Sequence, residues 1–466
     1  MWRYIGIILL VCVPAGCGQV EDVQVAIEQP ADQPPNVVFF FADDLGYGDL
    51  NSYGGNHIIS PNLDRLADEG VRLTDFYVTW NACTPSRGGM LTGRYPQRNG
   101  LYDMIRNDQV NYGHRFTEEE YAVSPEMTIG LDRKEVTVAQ LLKDAGYATG
   151  VFGKWDSGRA KRWLPLQRGF DDFYGFCNTG VDYWTHERYG IHSMYRNNER
   201  DRSDQGTYCT DLFRREAVRF VKEHKDEPFF LYVPFNAPHG ASNLSKPGVQ
   251  APESYVQKYG PLPGDKDAHY NAAVTCMDDA IGDILDLLDD YDLAENTIVL
   301  FSSDNGAGPK WRNAPLNGGK SRNWEGGIRV PLIARWPGHI PEKSVSTEFL
   351  TMLELLPTLC NVAGATPSSE IILDGFDMMP VLKGEQPSQR TDMFWQRRSD
   401  TAARVGNWKW LVQDGEEGLY DLAADIGEQN NLMESRPEKL QELRAAFAAW
   451  RKEMDEAEDR GPFRDF

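Results

Sequence analysis

The stretch that decides the fold is residues 36–48, NVVFFFADDLGYG. Its segment 37–41 is continuously apolar and consists of residues that favour β-structure, which is typical of a strand buried on both faces. Two carboxylates, Asp43 and Asp44, follow this strand at once. The pattern predicts a strand of a parallel sheet whose carboxyl end opens into an acidic loop.

The same order of helix and buried strand recurs along the chain. The spacing of apolar residues predicts a helix over 62–70 and three helix–strand pairs, 136–145 with 148–152, 212–224 with 229–235, and 270–288 with 297–302. Helices that alternate with apolar strands favour an α/β fold with a largely parallel sheet. We therefore expect one central sheet flanked by helices.

Polar side chains follow four of these strands. In chain order they are Asp43 and Asp44, Lys154, His239, and Asp304 with Asn305. Ligands of parallel α/β sheets collect beyond the carboxyl ends of the strands. We therefore expect these residues to share one site.

The composition is that of a globular protein, and its charge limits the classes of partner. Of the 466 residues, 41% are hydrophobic and 25% are charged, which favours neither disorder nor a membrane-spanning chain. The 48 Lys and Arg residues against 70 Asp and Glu residues give a net charge of −22. Nucleic-acid binding requires a basic surface, so a nucleic-acid partner is not expected. A pocket for an anionic substrate must concentrate positive charge locally.

The first residues have the pattern of an export signal. Arg3 precedes a short apolar run, 5–13, which is followed by small residues that end at Cys17. The run is too short to span a bilayer, so 1–17 is predicted to be a signal. The end of this segment also resembles a bacterial lipoprotein box, in which Cys17 would be acylated; ordinary signal cleavage is the alternative. We expect a protein that is exported, either periplasmic or anchored by a lipid to the outer membrane of a bacterium, and otherwise secreted.

Two further boundaries follow from composition. The segment 18–35 is polar and rich in Pro and Gln, which predicts a tether. After about residue 375 the pattern changes to two adjacent antiparallel strands, 407–412 and 418–422, and a long amphipathic helix, 437–454. We expect a main domain over 36–375 and a smaller α+β unit over 376–466.

The seven cysteines predict no disulfide framework. Four of them, Cys177, Cys209, Cys276 and Cys360, lack the spacing of metal ligands. Each could be a small buried residue or half of a bridge, and no disulfide is predicted.

The segment 83–94, CTPSRGGMLTGR, resembles the signature of the formylglycine-dependent sulfatases, the type I sulfatases of the alkaline-phosphatase-like superfamily. All fixed letters of C-x-P-x-R are present, and segments similar to the family extend from about 35 to 432. The resemblance implies an alkaline-phosphatase-like, mostly parallel sheet flanked by helices. It also implies a sulfatase catalytic domain over 36–375 and a C-terminal subdomain with a short antiparallel sheet.

The resemblance also implies that Cys83 is oxidised to an aldehyde, formylglycine, by a separate maturation enzyme. A hydrated aldehyde has two hydroxyl groups on one carbon. One attacks the sulfur and expels the alcohol, and the other then releases sulfate and restores the aldehyde, so one difficult hydrolysis becomes two easier steps.

Four oxygen-bearing residues match the metal ligands of that family. They are Asp43, Asp44, Asp304 and Asn305. An all-oxygen set suits a hard cation, and with diol and sulfate oxygens it gives the coordination number of calcium. The family holds one calcium ion at these positions; the sequence leaves magnesium open. The ion would polarise the sulfate and lower the pKa of the diol.

The family resemblance also assigns the charged and acid–base groups. Arg87 is expected to bind the diol and a carboxylate of the metal site, and Lys154 and Lys320 to hold sulfate oxygens, where fixed charge aids catalysis most. His239 matches a histidine that contacts the bridging oxygen and would act as general acid for the departing alcohol.

One position departs from the family pattern. The family segment Gly-Lys-Trp-His contains a histidine that helps to deprotonate the diol, whereas this chain has GKWD over 153–156. Asp156 is predicted to replace that histidine, although an aspartate is the weaker base unless its surroundings raise its pKa. The alternative is a histidine from elsewhere, His186 or His114.

The substrate is indicated only broadly. The segment 182–189, DYWTHERY, is rich in aromatic and polar residues and is predicted to line the pocket rim. The candidate substrate-binding residues are Asp182, His186, Arg188, Tyr102, Arg106 and Arg322. We expect a sulfuric ester hydrolase that acts on a sulfated carbohydrate. The alternatives are a phosphate mono- or diester hydrolase on the same fold and a non-catalytic, calcium-dependent glycan-binding protein.

Overall fold

A computed structural model describes residues 33–105, 117–243, 248–260 and 266–461. The predicted export signal with Cys17, most of the tether, Arg106 and His114 lie outside these ranges. The chain from Pro34 to Phe466 forms one compact unit.

The strands alternate with helices as the sequence pattern predicts. In chain order the strands are β1 Asn36–Ala42, β2 Val71–Leu73, β3 Phe76–Tyr77, β4 Ala148–Lys154, β5 Asp172–Phe176, β6 Glu187–Arg188, β7 Ile191–His192, β8 Met194–Arg196, β9 Glu199–Arg200, β10 Phe229–Pro234, β11 Thr297–Ser303, β12 Leu332–Arg335, β13 Ser344–Ser346, β14 Leu350–Thr351, β15 Asp392–Arg397, β16 Asp400–Val405, β17 Trp408–Gln413 and β18 Glu416–Asp421. The α-helices are α1 Pro61–Asp68, α2 Cys83–Thr92, α3 Pro96–Asn99, α4 Glu118–Ala122, α5 Pro125–Thr128, α6 Val138–Asp144, α7 Cys209–His224, α8 Glu253–Val256, α9 Lys266–Asp290, α10 Glu325–Ile328, α11 Leu355–Ala363, α12 Met379–Leu382 and α13 Pro437–Glu456.

The central sheet is mostly parallel, which confirms the predicted fold class. Within the described residues it has ten strands in the order β13-β2-β12-β11-β1-β10-β4-β5-β8-β9. The five strands from β11 to β5 are parallel to their neighbours, and antiparallel pairs lie to either side of them. The carboxyl ends of β11, β1, β10 and β4 therefore lie next to one another at one edge.

The strand β1 is buried on both faces. Phe39 and Phe41 belong to the apolar cluster on one face of the sheet, and Val38 and Phe40 belong to the cluster on the other. The second cluster is built largely from α7 and α9, which pack against each other. Each fully buried phenylalanine contributes roughly 1.5–3 kcal/mol, so these apolar strands fix the position of the loops that follow them.

The C-terminal part contains a separate sheet of four antiparallel strands, β15 to β18, with α13 packed against β16 and β17. The sequence pattern predicted β17, β18 and the helix, but not β15 and β16. Trp395 and Leu411 of this sheet share an apolar cluster with Phe39 of the central sheet. The C-terminal sheet thus packs onto the same face as that cluster.

Two further features concern the chain as a whole. Among the residues that the structure describes, no helix has the length and apolar character needed to cross a bilayer. Within the same ranges Cys83, Cys177, Cys209, Cys276 and Cys360 are all buried free thiols. The four cysteines left open by the sequence are therefore small buried residues here.

Candidate active site

The four strand ends form one buried cluster of carboxylates and cations. Asp304 Oδ1 accepts a hydrogen bond of 3.2 Å from the backbone N–H of Asp44, and Asn305 Nδ2 donates to Asp44 Oδ1 at 2.8 Å. Asp43 and Asp304 have no exposed surface. The structure thus brings together the residues that the sequence predicted to share a site.

Two backbone features let these loops meet. Asp44 has a φ of 69°, a left-handed conformation that aspartate tolerates better than most residues. Gly306 lies so close to the chain that a Cβ there would stand 1.7 Å from the carbonyl oxygen of Gly326. Only glycine permits this approach, which places the loop of Asp304 and Asn305 against the segment that follows Lys320.

The carboxylates are electrostatically unequal. Burial raises the pKa of Asp43 to about 8; Lys154 opposes this rise, and Asp304 and Asp44 add to it. Burial acts in the same direction on Asp304, but Arg87 and Lys154 outweigh it and hold the pKa of Asp304 well below its usual range. Closely packed buried carboxylates repel one another, so a cation among them would be stabilising.

Cys83 lies at the centre of this cluster. It is the first residue of α2, where its thiol donates to Asp43 Oδ1 at 3.3 Å and accepts from Lys320 Nζ at 3.3 Å. Burial raises the pKa of the thiol well above its usual value, and Asp304 adds to this rise. The unmodified thiol is therefore a poor nucleophile, because only the thiolate attacks.

Arg87 lies one helical turn after Cys83, so both side chains project from the same face of α2. Its Nε and Nη2 donate to Asp304 Oδ2 at 3.0 and 2.8 Å, and Nη2 lies 3.8 Å from Asp43 Oδ1. The guanidinium has no exposed surface and lies 5.0 Å from the ring centroid of Phe41. Arg87 therefore links the helix to the ends of two strands.

The two lysines bind different carboxylates of the cluster. Lys154, the last residue of β4, donates to Asp43 Oδ2 at 2.8 Å and is fully buried. Lys320 lies on a loop and donates to both oxygens of Asp44, at 2.6 and 2.7 Å. Both ammonium groups thus face the position of Cys83.

The loop that carries Lys320 is held by the C-terminal sheet. Arg397 Nη1, at the end of β15, donates to the carbonyl oxygen of Ser321 at 3.1 Å. Gln413 Oε1, at the end of β17, accepts from the backbone N–H of Asn323 at 2.7 Å. These contacts join residues more than 70 positions apart, and no local pattern in the sequence predicts them.

A buried ion pair closes the same loop. Lys409 Nζ of β17 lies 2.8 Å from Glu325 Oε1 and 2.7 Å from Glu428 Oε1, and none of the three side chains is exposed. The backbone N–H of Glu325 donates to Glu428 Oε2 at 2.7 Å. We call the contacts of Arg397, Gln413 and Lys409 with the loop the C-terminal clamp.

His239 lies on the loop after β10, near Asp44. Its Nε2 is 3.8 Å from Asp44 Oδ2, and its Nδ1 donates to the carbonyl oxygen of Gly240 at 2.7 Å. Burial lowers the pKa of His239 to about 3, and the charge of Lys320 acts in the same direction. The Tyr183 hydroxyl donates to the backbone carbonyl of His239 at 2.8 Å and fixes the loop.

Asp156 occupies a buried position beside Lys154. Its carboxylate lies 3.7 Å from Lys154 Nζ, and within the described ranges neither of its oxygens has a hydrogen-bond partner of normal geometry. Burial raises the pKa of Asp156, while Lys154, Arg87 and the nearby Thr84 hydroxyl oppose this rise. The raised pKa makes Asp156 a stronger base than an exposed aspartate.

The residues predicted to bind substrate have different environments. Asp182 accepts from the backbone N–H groups of Trp184 and Thr185 at 2.9 and 2.7 Å and from Gln250 Nε2 at 2.7 Å, so its carboxylate stabilises its own loop. His186 is buried, and its Nε2 donates to the carbonyl oxygen of Thr207 at 2.8 Å. Neither geometry leaves the side chain directed at the cluster of Cys83.

The remaining substrate-binding candidates lie at different distances from the cluster. Tyr102 packs beside Cys83 in a small apolar cluster with Trp80 and Met104. Arg322 forms an exposed ion pair with Asp414. Arg188 lines a cavity that Lys320 also lines, and Arg106 lies outside the described residues.

A cavity of about 170 Å³ leads to the cluster, and we call it the entrance cavity. It is lined by Ala82, Met104, Thr179, Arg188, Tyr189, His239, Gly240, Ala241, Ser242, Lys320, Ser321 and Arg397. The sequence pattern indicated Arg188 and Tyr189 but missed Thr179, Ser242 and Arg397. The adjacent arginines 397 and 398 are a weak signal in so acidic a chain, but their place beside Lys320 follows only from the fold.

Comparison with known proteins identifies the family. The family model described as Sulfatase matches residues 35–365, which is more than half of the chain. The chain belongs to the sulfatase family. It is therefore a sulfuric ester hydrolase, and its fold is the alkaline-phosphatase-like one. A second family model, described as N-sulphoglucosamine sulphohydrolase, C-terminal, matches residues 320–456 of this sulfatase.

Similar proteins include curated enzymes and solved structures. This sulfatase is 33% identical to N-acetylgalactosamine-6-sulfatase of Homo sapiens, over 82% of this chain and 73% of that protein. It is 33% identical to arylsulfatase A of Homo sapiens, over 88% and 87% of the two chains. The crystal structure of Ps i-CgsB has a TM-score of 0.79 with 29% identity, and the match covers 90% of this chain and 93% of that one.

Proposed function

We propose that this sulfatase removes sulfate from a sulfated carbohydrate, using a formylglycine made from Cys83 and one calcium ion. The observation that carries the proposal is the position of Cys83, at the start of α2, within hydrogen-bond distance of Asp43 and Lys320. In this position a hydrated aldehyde would lie between a carboxylate that accepts a hydrogen bond from it, Asp43, and a cation that stabilises negative charge, Lys320.

The chemistry of the ligand atoms supports a calcium ion held by Asp43, Asp44, Asp304 and Asn305. All four offer oxygen, the donor that hard cations prefer. Asn305 donates through Nδ2 to Asp44, while its buried Oδ1 has no hydrogen-bond partner in the part of the chain that the structure describes. An unsatisfied buried oxygen beside three carboxylates fits a metal ligand. A bound calcium ion would polarise a sulfate oxygen and lower the pKa of the diol.

The protein side chains would then orient and stabilise the reacting groups. Arg87 donates two hydrogen bonds to Asp304 Oδ2 and keeps that carboxylate ionised. Lys154 and Lys320 aim two ammonium groups at the position where sulfate would lie, and such preorganised charge is usually the largest catalytic contribution. We propose that they bind sulfate oxygens.

Proton transfer is assigned to two groups. His239 is neutral at rest, with Nδ1–H directed at Gly240, so its Nε2 carries no proton. We propose that Nε2 accepts the proton of the attacking diol hydroxyl and passes it to the departing alcohol oxygen. Asp156 is a buried carboxylate 3.7 Å from Lys154 Nζ and would accept the diol proton in the second step. His186 is held by Thr207, so it is the weaker alternative for this base.

A carbohydrate substrate is supported by the proteins that this chain resembles. N-acetylgalactosamine-6-sulfatase is named for a sulfated amino sugar, and Ps i-CgsB has been crystallised in complex with k-i-k-neocarrahexaose. The entrance cavity also contains Tyr189, Thr179 and Ser242, an aromatic ring and two hydroxyl groups of the kinds that contact sugars. We propose in addition that 1–17 exports the chain, that 18–35 is a tether, and that Cys17 carries a lipid.

The proposal is tested by desulfation of a panel of defined sulfated oligosaccharides, with an aryl sulfate and an aryl phosphate as reference compounds. We expect sulfate release from the aryl sulfate and from at least one oligosaccharide, and much slower release from the aryl phosphate. Chelation of calcium should abolish turnover, and added calcium should restore it. Turnover of the aryl phosphate alone, or full activity without calcium, would contradict the proposal.

A further inference from the structure

The lining of the entrance cavity has an unusual charge for this protein. Three of its residues, Arg188, Lys320 and Arg397, are cationic, and none of the described residues that line it is a carboxylate. The chain as a whole has a net charge of −22. Arg188 and Lys320 are paired with the carboxylates of Glu126 and Asp44, which do not line the cavity, so the charged groups that line it are all cationic and suit an anion.

Arg188 is held rigidly at this wall. Its Nε donates to Glu126 Oε1 at 2.7 Å, and its Nη1 donates to Ser242 Oγ at 3.0 Å. Glu126 is fixed in turn, since Asn178 Nδ2 donates to its other carboxylate oxygen at 2.5 Å. The guanidinium is therefore oriented before a substrate binds, which reduces the entropy lost on binding.

The loop that contains Gly180 connects Arg188 to the residues around His239. A Cβ on Gly180, whose carbonyl accepts from Arg188 Nη1, would stand 2.9 Å from His239 Cε1 and 2.8 Å from Ser242 Oγ. A larger residue would push this loop away from His239. Arg188 and His239 therefore belong to one wall of the same cavity.

Arg397 comes from the other side and from another sheet. Its Nη1 donates to the carbonyl oxygen of Ser321, the residue that follows Lys320. Lys320 Nζ in turn lies 3.3 Å from Cys83 Sγ. The Arg397 guanidinium therefore contacts the backbone of the residue next to Lys320, the lysine proposed to hold the scissile sulfate.

We propose that the entrance cavity binds a second anionic group of the substrate, carried near the scissile sulfate, through Arg397 with Arg188. This inference rests on the proposed function and names the substrate class: a carbohydrate with a further sulfate or a uronate carboxylate. A planar guanidinium can bind a sulfate or a carboxylate with two parallel hydrogen bonds. The ammonium group of Lys320 lacks this geometry and acts as a point charge, so we assign the second anion to the arginines. Thr179, Tyr189 and Ser242 contact the sugar between the two anions.

The inference is tested by comparing matched substrates. In the first arm, a compound whose only anion is the scissile sulfate is compared with the same sugar carrying a second sulfate. In the second arm, a sulfated sugar with a uronate carboxylate is compared with its methyl ester, in which that carboxylate is neutral. We expect kcat/KM to be about tenfold higher or more for a doubly anionic member than for its singly anionic partner. The arm with the larger difference in kcat/KM shows whether the cavity prefers a sulfate or a carboxylate as the second anionic group of the substrate.

Arg397→Gln should abolish this preference: kcat/KM of the doubly anionic member should fall about tenfold more than that of its singly anionic partner, mainly through KM. Arg398→Gln is the matched control, because the exposed Arg398 side chain contacts Asp103 and does not line the cavity. Equal kcat/KM within every pair would overturn the inference. An Arg397→Gln variant that lowers both members of a pair equally would also overturn it, since that result shows only a displaced Lys320 loop.

Calorimetric binding of the same pairs to the calcium-loaded Cys83→Ala protein separates this inference from the proposed function. If the wild type cleaves none of the compounds, the proposed function fails. Tighter binding of the doubly anionic members, lost in the Cys83→Ala, Arg397→Gln double variant, would still support the anion site. Equal binding of both members would contradict it.

Discussion

The two sides of the active site are built in different ways. On one side, Asp43, Lys154 and Asp304 lie at the carboxyl ends of β1, β4 and β11 in the parallel part of the sheet, and main-chain hydrogen bonds of the sheet fix their spacing. On the other side, Lys320 lies on a loop that the C-terminal clamp holds from outside. The first side depends on the core of the sheet, and the second depends on contacts between distant parts of the chain.

This difference has a consequence for mutations. Substitutions on the strand-end side should remove chemical groups and leave the fold in place, because buried apolar strands carry the loops. Substitutions in the C-terminal clamp should lower stability and displace Lys320 together. The predictions below test this contrast, from the largest expected effect on turnover to the smallest.

The largest effect is expected from Cys83→Ala, which removes the proposed nucleophile. Turnover of an aryl sulfate should fall by about 10⁴-fold or more, because no group remains to form the covalent intermediate. Circular dichroism and calcium binding should be unchanged. Cys360→Ala is the control, since that buried thiol lies in α11 away from the cluster, and it should keep turnover within about twofold.

The next effect concerns the calcium site. Asp304→Asn removes one ligand charge and the partner of Arg87, so we expect turnover to fall by about 10³-fold and calcium binding to weaken strongly. In the wild type, calcium should stabilise the folded protein by about 4 kcal/mol at a thousandfold excess over its Kd, measured by calorimetry with and without chelator. The exposed Asp226→Asn variant should behave as the wild type.

A smaller effect is expected from Asp156→Asn. The amide cannot accept the diol proton, so turnover should fall by about 10²-fold, the usual contribution of a general base. Sulfated protein should accumulate and be detectable by mass spectrometry after a rapid quench. Turnover equal to that of the wild type would exclude Asp156 as the base.

The clamp is tested by Lys409→Gln. This change removes the cation that buried Glu325 and Glu428 share; Arg329 still lies 3.2 Å from Glu325, but Glu428 loses its ion pair, so the free energy of unfolding should fall by about 3–5 kcal/mol. We expect kcat/KM of the folded protein to fall by only about tenfold, because Lys320 is displaced but present. Lys452→Gln removes an exposed pair with Glu456 and should cost less than about 0.5 kcal/mol. An unchanged kcat/KM would show that the clamp does not position Lys320.

The same contrast explains what could be predicted from the sequence. The strand-end side is predictable because continuous apolar runs such as 37–41 mark buried strands, and parallel strands bring their polar ends together. The strands β15 and β16 were missed, although they form a local antiparallel pair. Arg397 and the other clamp residues were not predicted, because their partners in the Lys320 loop lie more than 70 positions away. Local spacing carries no information on such contacts.

The residues predicted to bind substrate show most clearly that local sequence alone does not determine the role of a side chain. Asp182 and Arg188 lie in one polar segment with similar local sequence, yet Asp182 caps its own turn and Arg188 lines the entrance cavity. The φ of 59° at His186 turns the chain between them. Only the packing of that loop against Glu126 and Ser242 separates the two roles.

The central claim is that Cys83 carries the nucleophile as an aldehyde. Mass spectrometry of the peptide that contains Cys83, from active protein made in its natural host, tests this directly. We predict a peptide mass about 18 Da below that of the unmodified cysteine peptide, because CHO replaces CH₂SH. Active protein with an unmodified Cys83 thiol throughout would contradict the account.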